Sequence, residues 1–379
     1  MKSQHEIKMW TPATLVLVLI MALGSVLLVY RLKAGLGAVT NLNDRFPWGL
    51  WIGMDVLGGV AMAAGGFLIA GAVYILNIKK YKPIVRPAIL NAFFGYLLAA
   101  TAISLDIGVP WRIWHPVVMW QIHSVMWVVA IHVVLYTSTL ATEASPMFFE
   151  KLRMEWAANV IHKILVPVVL FGVLLSILHQ SSLGAVYLIV PRKLSALWYN
   201  TQIPTLFLAS AVMMGLSMVS FETIISGWAF KHKTDIGILS GLARGTLIAT
   251  VIYLIMKLWF LAKGPGFSAA FNGTMEAKMY LLEMIIGVIV PLFLLLIKNI
   301  RENIKSILFV NILVIAGVLL NRLNVAIFGV YRDASANGFS YFPTWMEFVV
   351  TFAFIAFAIF GFKVCAKYLR LFPEAEAQH

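Results

Sequence analysis

The stretch Val166-Pro167-Val168-Val169-Leu170-Phe171-Gly172-Val173-Leu174-Leu175-Ser176-Ile177-Leu178 runs straight into His179-Gln180-Ser181-Ser182. An apolar run of this kind reads as a helix that crosses hydrocarbon, and it ends in groups that carry protons and form hydrogen bonds. Polar and ionisable groups at membrane depth are costly and mark a pathway or a site. The run is not isolated. Of 379 residues, 61% are hydrophobic and only 12% are charged, with a mean hydropathy of +0.90, whereas soluble domains are about 25% charged. Runs long enough to span a bilayer fall near 12–30, 48–76, 87–107, 118–141, 164–180, 203–230, 241–263, 278–297, 306–324 and 346–368. The first follows Lys2 and Lys8, but it is long for a signal sequence and no small-residue cleavage site follows it, so it is read as a retained helix. The expectation is an all-α membrane protein of about ten transmembrane helices, residues 1–379 forming a single polytopic domain.

Charge sets the orientation. Lys and Arg crowd alternate connections: Lys2 and Lys8, then Lys79, Lys80, Lys82 and Arg86, then Lys151, Arg153 and Lys163, then Lys231 and Lys233, then Lys298, Arg301 and Lys305, then Lys363, Lys367 and Arg370. The intervening connections hold fewer, among them Arg112, Arg192 and Lys193. The positive-inside rule then puts both termini in the cytoplasm. The net charge of +13 follows from these flanks and their contact with anionic lipid. No basic stripe interleaved with aromatics lies outside the spans, so nucleic acid is not a partner. Cys365 is the only cysteine. The chain therefore forms no internal disulfide, no four-cysteine iron–sulfur cluster and no Cys-x-x-Cys-His haem attachment. Electrons that enter this protein are brought by another subunit.

Sorted by this orientation, Asp55, Asp106, His123, His179, Glu283 and Arg322 fall toward the non-cytoplasmic side, while Glu222 and Arg244 fall toward the cytoplasm. Asp106 closes a span and is followed by Arg112, His115 and His123, which reads as a polar connection or as a plain interfacial Asp–Arg pair. Asp55, inside the span that starts at Phe46-Pro47-Trp48, needs a partner or a wet cavity. Gly58, Gly59, Gly65 and Gly66 give that span a small-residue face for close helix packing. Pro47 and Pro343 precede Trp at span starts and read as interfacial anchors. A transmembrane b-type haem needs two histidines at similar depth. By counting residues, only His123 and His179 share a side and His132 lies deeper, so no haem is expected, and His123 and His132 also read as ordinary structural histidines.

The run Asn43-Asp44-Arg45-Phe46-Pro47-Trp48-Gly49-Leu50-Trp51-Ile52-Gly53-Met54-Asp55 resembles the NrfD and polysulfide-reductase membrane-subunit family, most closely its ten-helix hydrogenase-2 type. The likeness continues through Ala63-Ala64-Gly65-Gly66, Val85-Arg86-Pro87-Ala88, Phe94-Gly95-Tyr96, Asp106-Ile107-Gly108, His179-Gln180-Ser181-Ser182-Leu183-Gly184 and Tyr341-Phe342-Pro343-Thr344-Trp345, so it spans nearly the whole chain. It implies two four-helix bundles plus extra helices in a prokaryotic cytoplasmic (inner) membrane. It also implies a quinone-reactive subunit without haem, iron–sulfur or other metal of its own. The implied partners are a periplasmic ferredoxin-like iron–sulfur subunit and a catalytic subunit: a nickel–iron hydrogenase, a molybdoenzyme or a multihaem cytochrome c. Quinone, menaquinone or another, is placed near the periplasmic end of the first bundle. One departure is Val128, where relatives carry a carboxylate one turn before His132.

Two-electron quinone chemistry moves two protons, so each quinone oxygen needs a neighbour that exchanges a proton near neutral pH. His179 is the natural group, with Asp106 accepting a hydrogen bond from quinol or pairing with His179. Asp55, Arg112, His123, Gln180, Ser181 and Arg322 are the further binding candidates, the two arginines holding the carboxylates electrostatically. Tyr96, His132 and Glu222 are candidate steps of a proton path toward the cytoplasm; for Glu222 the alternative is a structural salt bridge to Arg244 or Lys257. Two other readings stay open on residues alone. One is a proton or ion transporter that makes no redox contact, which would purify alone. The other is a b-type cytochrome anchor, which an absorption spectrum would reveal.

Overall fold

The computed structural model describes residues 7–190, 193–232 and 234–372; Lys2, Arg192 and Lys233, counted above among the flanking charges, lie outside these. Among the described residues ten helices are long and apolar enough to cross a membrane. They are α1 (Pro12–Ala34), α2 (Trp51–Ile75), α3 (Lys79–Asp106), α4 (Val125–Lys151), α5 (Glu155–Ile189), α6 (Ile203–Phe230), α7 (Ile236–Lys263), α8 (Met275–Leu296), α9 (Ile304–Ala336) and α10 (Trp345–Tyr368). Only helices or closed barrels satisfy every backbone group inside lipid, and the sole strand-like pairing among the described residues is the Asn43–Phe46 bridge.

The sequence reading places the spans correctly and misjudges their ends. The run read as 164–180 is the middle of α5, which starts at Glu155 and continues to Ile189, because polar residues do not stop a helix whose backbone bonds are internal. His179 is therefore inside a helix and not at its end. The run read as 118–141 errs the other way. Ser124 caps α4 by accepting a hydrogen bond from the Trp127 amide at 3.4 Å, so residues 119–124 are connection. Other starts obey the same rule of a side-chain oxygen taking up free amides: Thr11, Asp235, Thr274 and Asn303 cap α1, α7, α8 and α9. At α10, Thr344 and Glu347 form a reciprocal capping box.

Helix α2 sits at the centre and packs on α3, α5 and α6. Helices α3, α4 and α5 follow one another around it, while α6 packs on α7 and α9, and α8 closes against α7 and α9. Lipid supplies no hydrophobic drive between helices, so contact depends on close van der Waals fit. At the α2–α6 crossing a Cβ on Gly215 would lie 2.6 Å from the Gly65 nitrogen, so only glycine fits. At the α8–α9 crossing a Cβ on Gly317 would lie 2.0 Å from the Gly287 Cα. Helices α1 and α10 pair with each other and lean on α3 and the start of α2. Two helices are locally wound as π-helix, α2 at Trp51–Gly58 and again at Gly71–Ile75, and α8 at Ile285–Ile289; such turns shift the faces of a helix and recur at functional sites. Asp55 lies in the first of them. The start of α1 and the end of α10 lie together, Lys363 donating to Thr14 and to the Met9 carbonyl, on what is called here the lysine-rich face.

Candidate functional site

His179 is completely buried, at the meeting of α3, α4 and α5. Its ring centroid is 5.5 Å from that of Tyr96 on α3 and 6.1 Å from that of His132 on α4. Tyr136, one turn beyond His132, stands edge-on to Tyr96 at 4.5 Å. Neither ring nitrogen of His179 has a hydrogen-bond partner, and the buried hydroxyls of Tyr96, Tyr136 and Ser176 have none beyond loose contacts of the two tyrosines with Ser176. Native proteins pair nearly all buried polar atoms, and each exception asks for an explanation. Here the exceptions gather around one ring. The residues after His179 serve to hold it. Ser182 Oγ donates to the His179 carbonyl at 2.9 Å and lies 3.4 Å from His132 Nδ1. Gln180 Nε2 donates to the Val60 carbonyl at 2.8 Å, which ties α5 to α2; Ser181 is partly buried beside it.

Asp106 and Asp55 belong to a second group, on the side of α2 and α3 that faces α1 and α10. Arg31, itself buried, grips the end of α3 by donating to the carbonyls of Leu105 at 2.7 Å and Ile107 at 2.6 Å. Asp106 sits between those two carbonyls, with Oδ1 buried and unpartnered. The Asp55 Oδ2 accepts a hydrogen bond from Thr351 at 2.8 Å. One turn earlier on α10, Glu347 accepts from Tyr341 at 2.5 Å and from the Thr344 amide at 3.0 Å.

The structure separates residues that the sequence reading grouped. Asp106 does not pair with His179, since it lies ten residues past Tyr96 on α3, about 15 Å along the axis. Arg112 is exposed, and Arg31 takes the place expected of it. His123 is exposed in the 119–124 connection, and the histidine level with His179 is His132, so counting residues along a misjudged span gave the wrong depth. That overturns the reason given for expecting no haem. The two rings belong to consecutive helices that pack directly on each other, and a porphyrin would have to part them.

Arg322 lies in the other half of the molecule, its guanidinium 3.8 Å above the Phe207 ring and bonded to Asn321, Ser210 and the Phe207 carbonyl. Glu222 forms no ion pair: Arg244 is exposed and Lys257 is bound to Glu283 at 2.7 Å. Both Glu222 carboxylate oxygens are buried with no partner closer than a loose contact to the Asn91 side chain, and the side chain lines a cavity of about 1030 Å³ together with Asp55 and Asn91.

Some residues were missed. Tyr136 and Ser176 were legible, being one helical turn from His132 and His179 on the same face. Buried Glu143, further along α4 toward the lysine-rich face, occupies the room left by Gly172, whose Cβ would meet its carboxylate at 2.7 Å. Arg31 had no such signal, because a cation near a helix end reads as a flank charge.

A family model described as Polysulphide reductase, NrfD, matches residues 38–332. The chain belongs to the NrfD family. Among its relatives is a protein of Nitratidesulfovibrio vulgaris (strain Hildenborough), 34% identical over 96% of this chain and 95% of that one. The "Probable Ni/Fe-hydrogenase 2 b-type cytochrome subunit" of Escherichia coli K12 is 30% identical over 92% of this chain and 89% of its own. The "Menaquinone reductase, integral membrane subunit" of Nitratidesulfovibrio vulgaris is 29% identical over 91% and 88%. Within this NrfD frame the matched region holds both His179 and the Asp55–Asp106 group, while α10, which carries Thr351 and Glu347, lies beyond it.

Proposed function

We propose that this chain is the quinone-reactive membrane subunit of a multi-subunit respiratory oxidoreductase in a prokaryotic cytoplasmic membrane. It exchanges electrons between an iron–sulfur subunit on the non-cytoplasmic face and menaquinone or another quinone. The helices α2–α5 and α6–α9 are read as two four-helix bundles, both termini are cytoplasmic, and the lysine-rich face is the cytoplasmic one. A catalytic subunit, hydrogenase, molybdoenzyme or multihaem cytochrome, completes the assembly. The relative named as a menaquinone reductase subunit supports a quinone as the substrate.

The observation that carries this reading is the unsatisfied set around His179. Two ring nitrogens are buried with no partner, beside hydroxyls of Tyr96, Tyr136 and Ser176 that reach none outside their own cluster, which is the donor and acceptor inventory that a quinone's two oxygens require. Oxidation of a quinol releases two electrons to the iron–sulfur partner and two protons to protein groups. His179 takes the first proton, with His132 6.1 Å away to receive it. Asp106 and Asp55 supply carboxylates on the other flank of α2 and α3. Glu222 exchanges protons with the lysine-rich face, since it has no ion-pair partner among the described residues and lines a cavity that also reaches Lys8, Lys231 and Lys363. The chain binds no haem.

The test is His179→Ala in the assembled complex. Quinone-linked turnover is expected to vanish while the iron–sulfur and catalytic subunits still copurify and still reduce a soluble dye. Wild-type quinone turnover would remove His179 from the mechanism.

A further inference from the structure

The cavity that holds Glu222 is a wedge between the α1–α10 pair and α6, floored by α2 and α3. At about 1030 Å³ it reaches the top of the ~300–1,000 Å³ range of ordinary ligand pockets. Its wall is Met, Phe, Leu, Ile, Ala and Gly along most of its depth. It opens on the membrane flank, where the lining residues Ile225 of α6 and Ile355 and Ile359 of α10 are 38%, 40% and 52% exposed. Its rim at the lysine-rich face is cationic: Lys8, Lys231 and Lys363 all line it. Lys363 is held in place, its ammonium donating to Thr14 Oγ1 at 2.6 Å and to the Met9 carbonyl at 3.1 Å, which leaves one N–H. Neither Lys8 nor Lys231 has an acidic partner among the described residues.

An apolar slot open to hydrocarbon, with three ammonium groups at the headgroup level, has the shape and charge of one kind of molecule. We propose that the wedge is a specific site for an anionic phospholipid, its phosphate on Lys8, Lys231 and Lys363 and an acyl chain running inward past Phe362, Phe221 and Met62 toward Asp55. Glu222 lies eight residues before the end of α6, about 12 Å inward by helix rise, past the headgroup layer and beside the acyl chain. The bound lipid seals the deeper Asp55 from water, with Glu222 between that seal and the headgroup. Asp55 and Glu222 line this cavity and also enter the quinone reading, but the lipid site does not depend on that reading, because phosphate on the lysine rim and an acyl chain on the apolar wall require neither carboxylate.

The experiment is native mass spectrometry of the purified complex, delipidated and then titrated with phosphatidylglycerol, phosphatidylcholine or inorganic phosphate. One phosphatidylglycerol is expected to be retained about tenfold more tightly than phosphatidylcholine, as attraction of a few lysines to anionic headgroups predicts. Inorganic phosphate should not displace it. Lys8→Gln with Lys231→Gln should erase that preference while leaving assembly intact, and Ala358→Phe, which fills the slot, should abolish retention; Ala358→Leu serves where the larger residue impairs folding. Equal retention of the two lipids, retention indifferent to both the rim and the filling variants, displacement by phosphate, or an isoprenoid quinone retained in the lipid's place would each overturn the proposal.

Discussion

The half of the molecule around α2–α5 and the half around α6–α9 both bury polar side chains, and their central ionisable residues, His179 and Glu283, are held in opposite ways. In the second half Glu283 is saturated. Its Oε1 accepts from Lys257 at 2.7 Å and Asn321 at 3.0 Å, and its Oε2 accepts from Asn324 at 2.7 Å and Trp198 at 3.0 Å. The Lys257 ammonium also lies 5.0 Å from the Tyr280 ring centroid. In the first half His179 is as deeply buried and has no partner, and Tyr96, Tyr136 and Ser176 beside it reach none outside their own cluster. A buried charge is tolerated when its partners replace water, so the saturated cluster is framework. The unsatisfied one is where we place the quinone chemistry.

The contrast is sharpest at the two central residues. His179→Ala is expected to lower quinone-linked turnover by about 10²- to 10⁴-fold, the usual range for loss of a proton-transfer group, with subunit composition and melting temperature little changed. Steady-state quinol oxidation together with size-exclusion profiles checks this. Glu283→Ala should do the reverse. Removing one partner of a buried pair costs about 3–5 kcal/mol, so the yield and melting temperature of the complex should fall, while turnover per assembled complex is retained. Lys257→Met combined with Glu283→Leu should recover much of the loss, because no lone charge then remains. A Glu283→Ala complex that is stable but inactive would erase the distinction between the halves.

Glu222 tests whether a third polar position sides with the framework or with the chemistry. Glu222→Gln keeps the size and much of the hydrogen-bonding capacity and removes titration. In liposomes the variant should still exchange electrons with quinone and lose its coupling to membrane potential; unchanged coupling would return Glu222 to the framework. The smallest signal concerns the His132–His179 pair. The reduced-minus-oxidised spectrum of the isolated subunit should be flat where b-type haem absorbs, and a stoichiometric band abolished by His132 or His179 substitution would recast the pair as ligands.

Much of this was legible in the sequence because hydropathy and charge are properties of single helices. The number of spans, the presence of polar groups at His179 inside one of them and the small-residue face of α2 all follow from residues read one segment at a time. The errors came where two segments must be compared. His123 seemed level with His179 only because the start of α4 was put too early, and Arg112 seemed the partner of Asp106 because it is near in sequence, whereas Arg31 reaches it from another helix.

By itself the chain determined that it is a ten-span helical membrane protein with protonatable groups in its interior, because an apolar run of bilayer length has no other stable form in lipid. Tertiary structure alone decided which of those groups meet. Spans that are apolar nearly all round carry little amphipathic signal to say which face turns inward. Rotation and offset are instead set by steric fits such as Gly65 on Gly215, which place Lys257 against Glu283 and leave His179 facing Tyr96 with both nitrogens free.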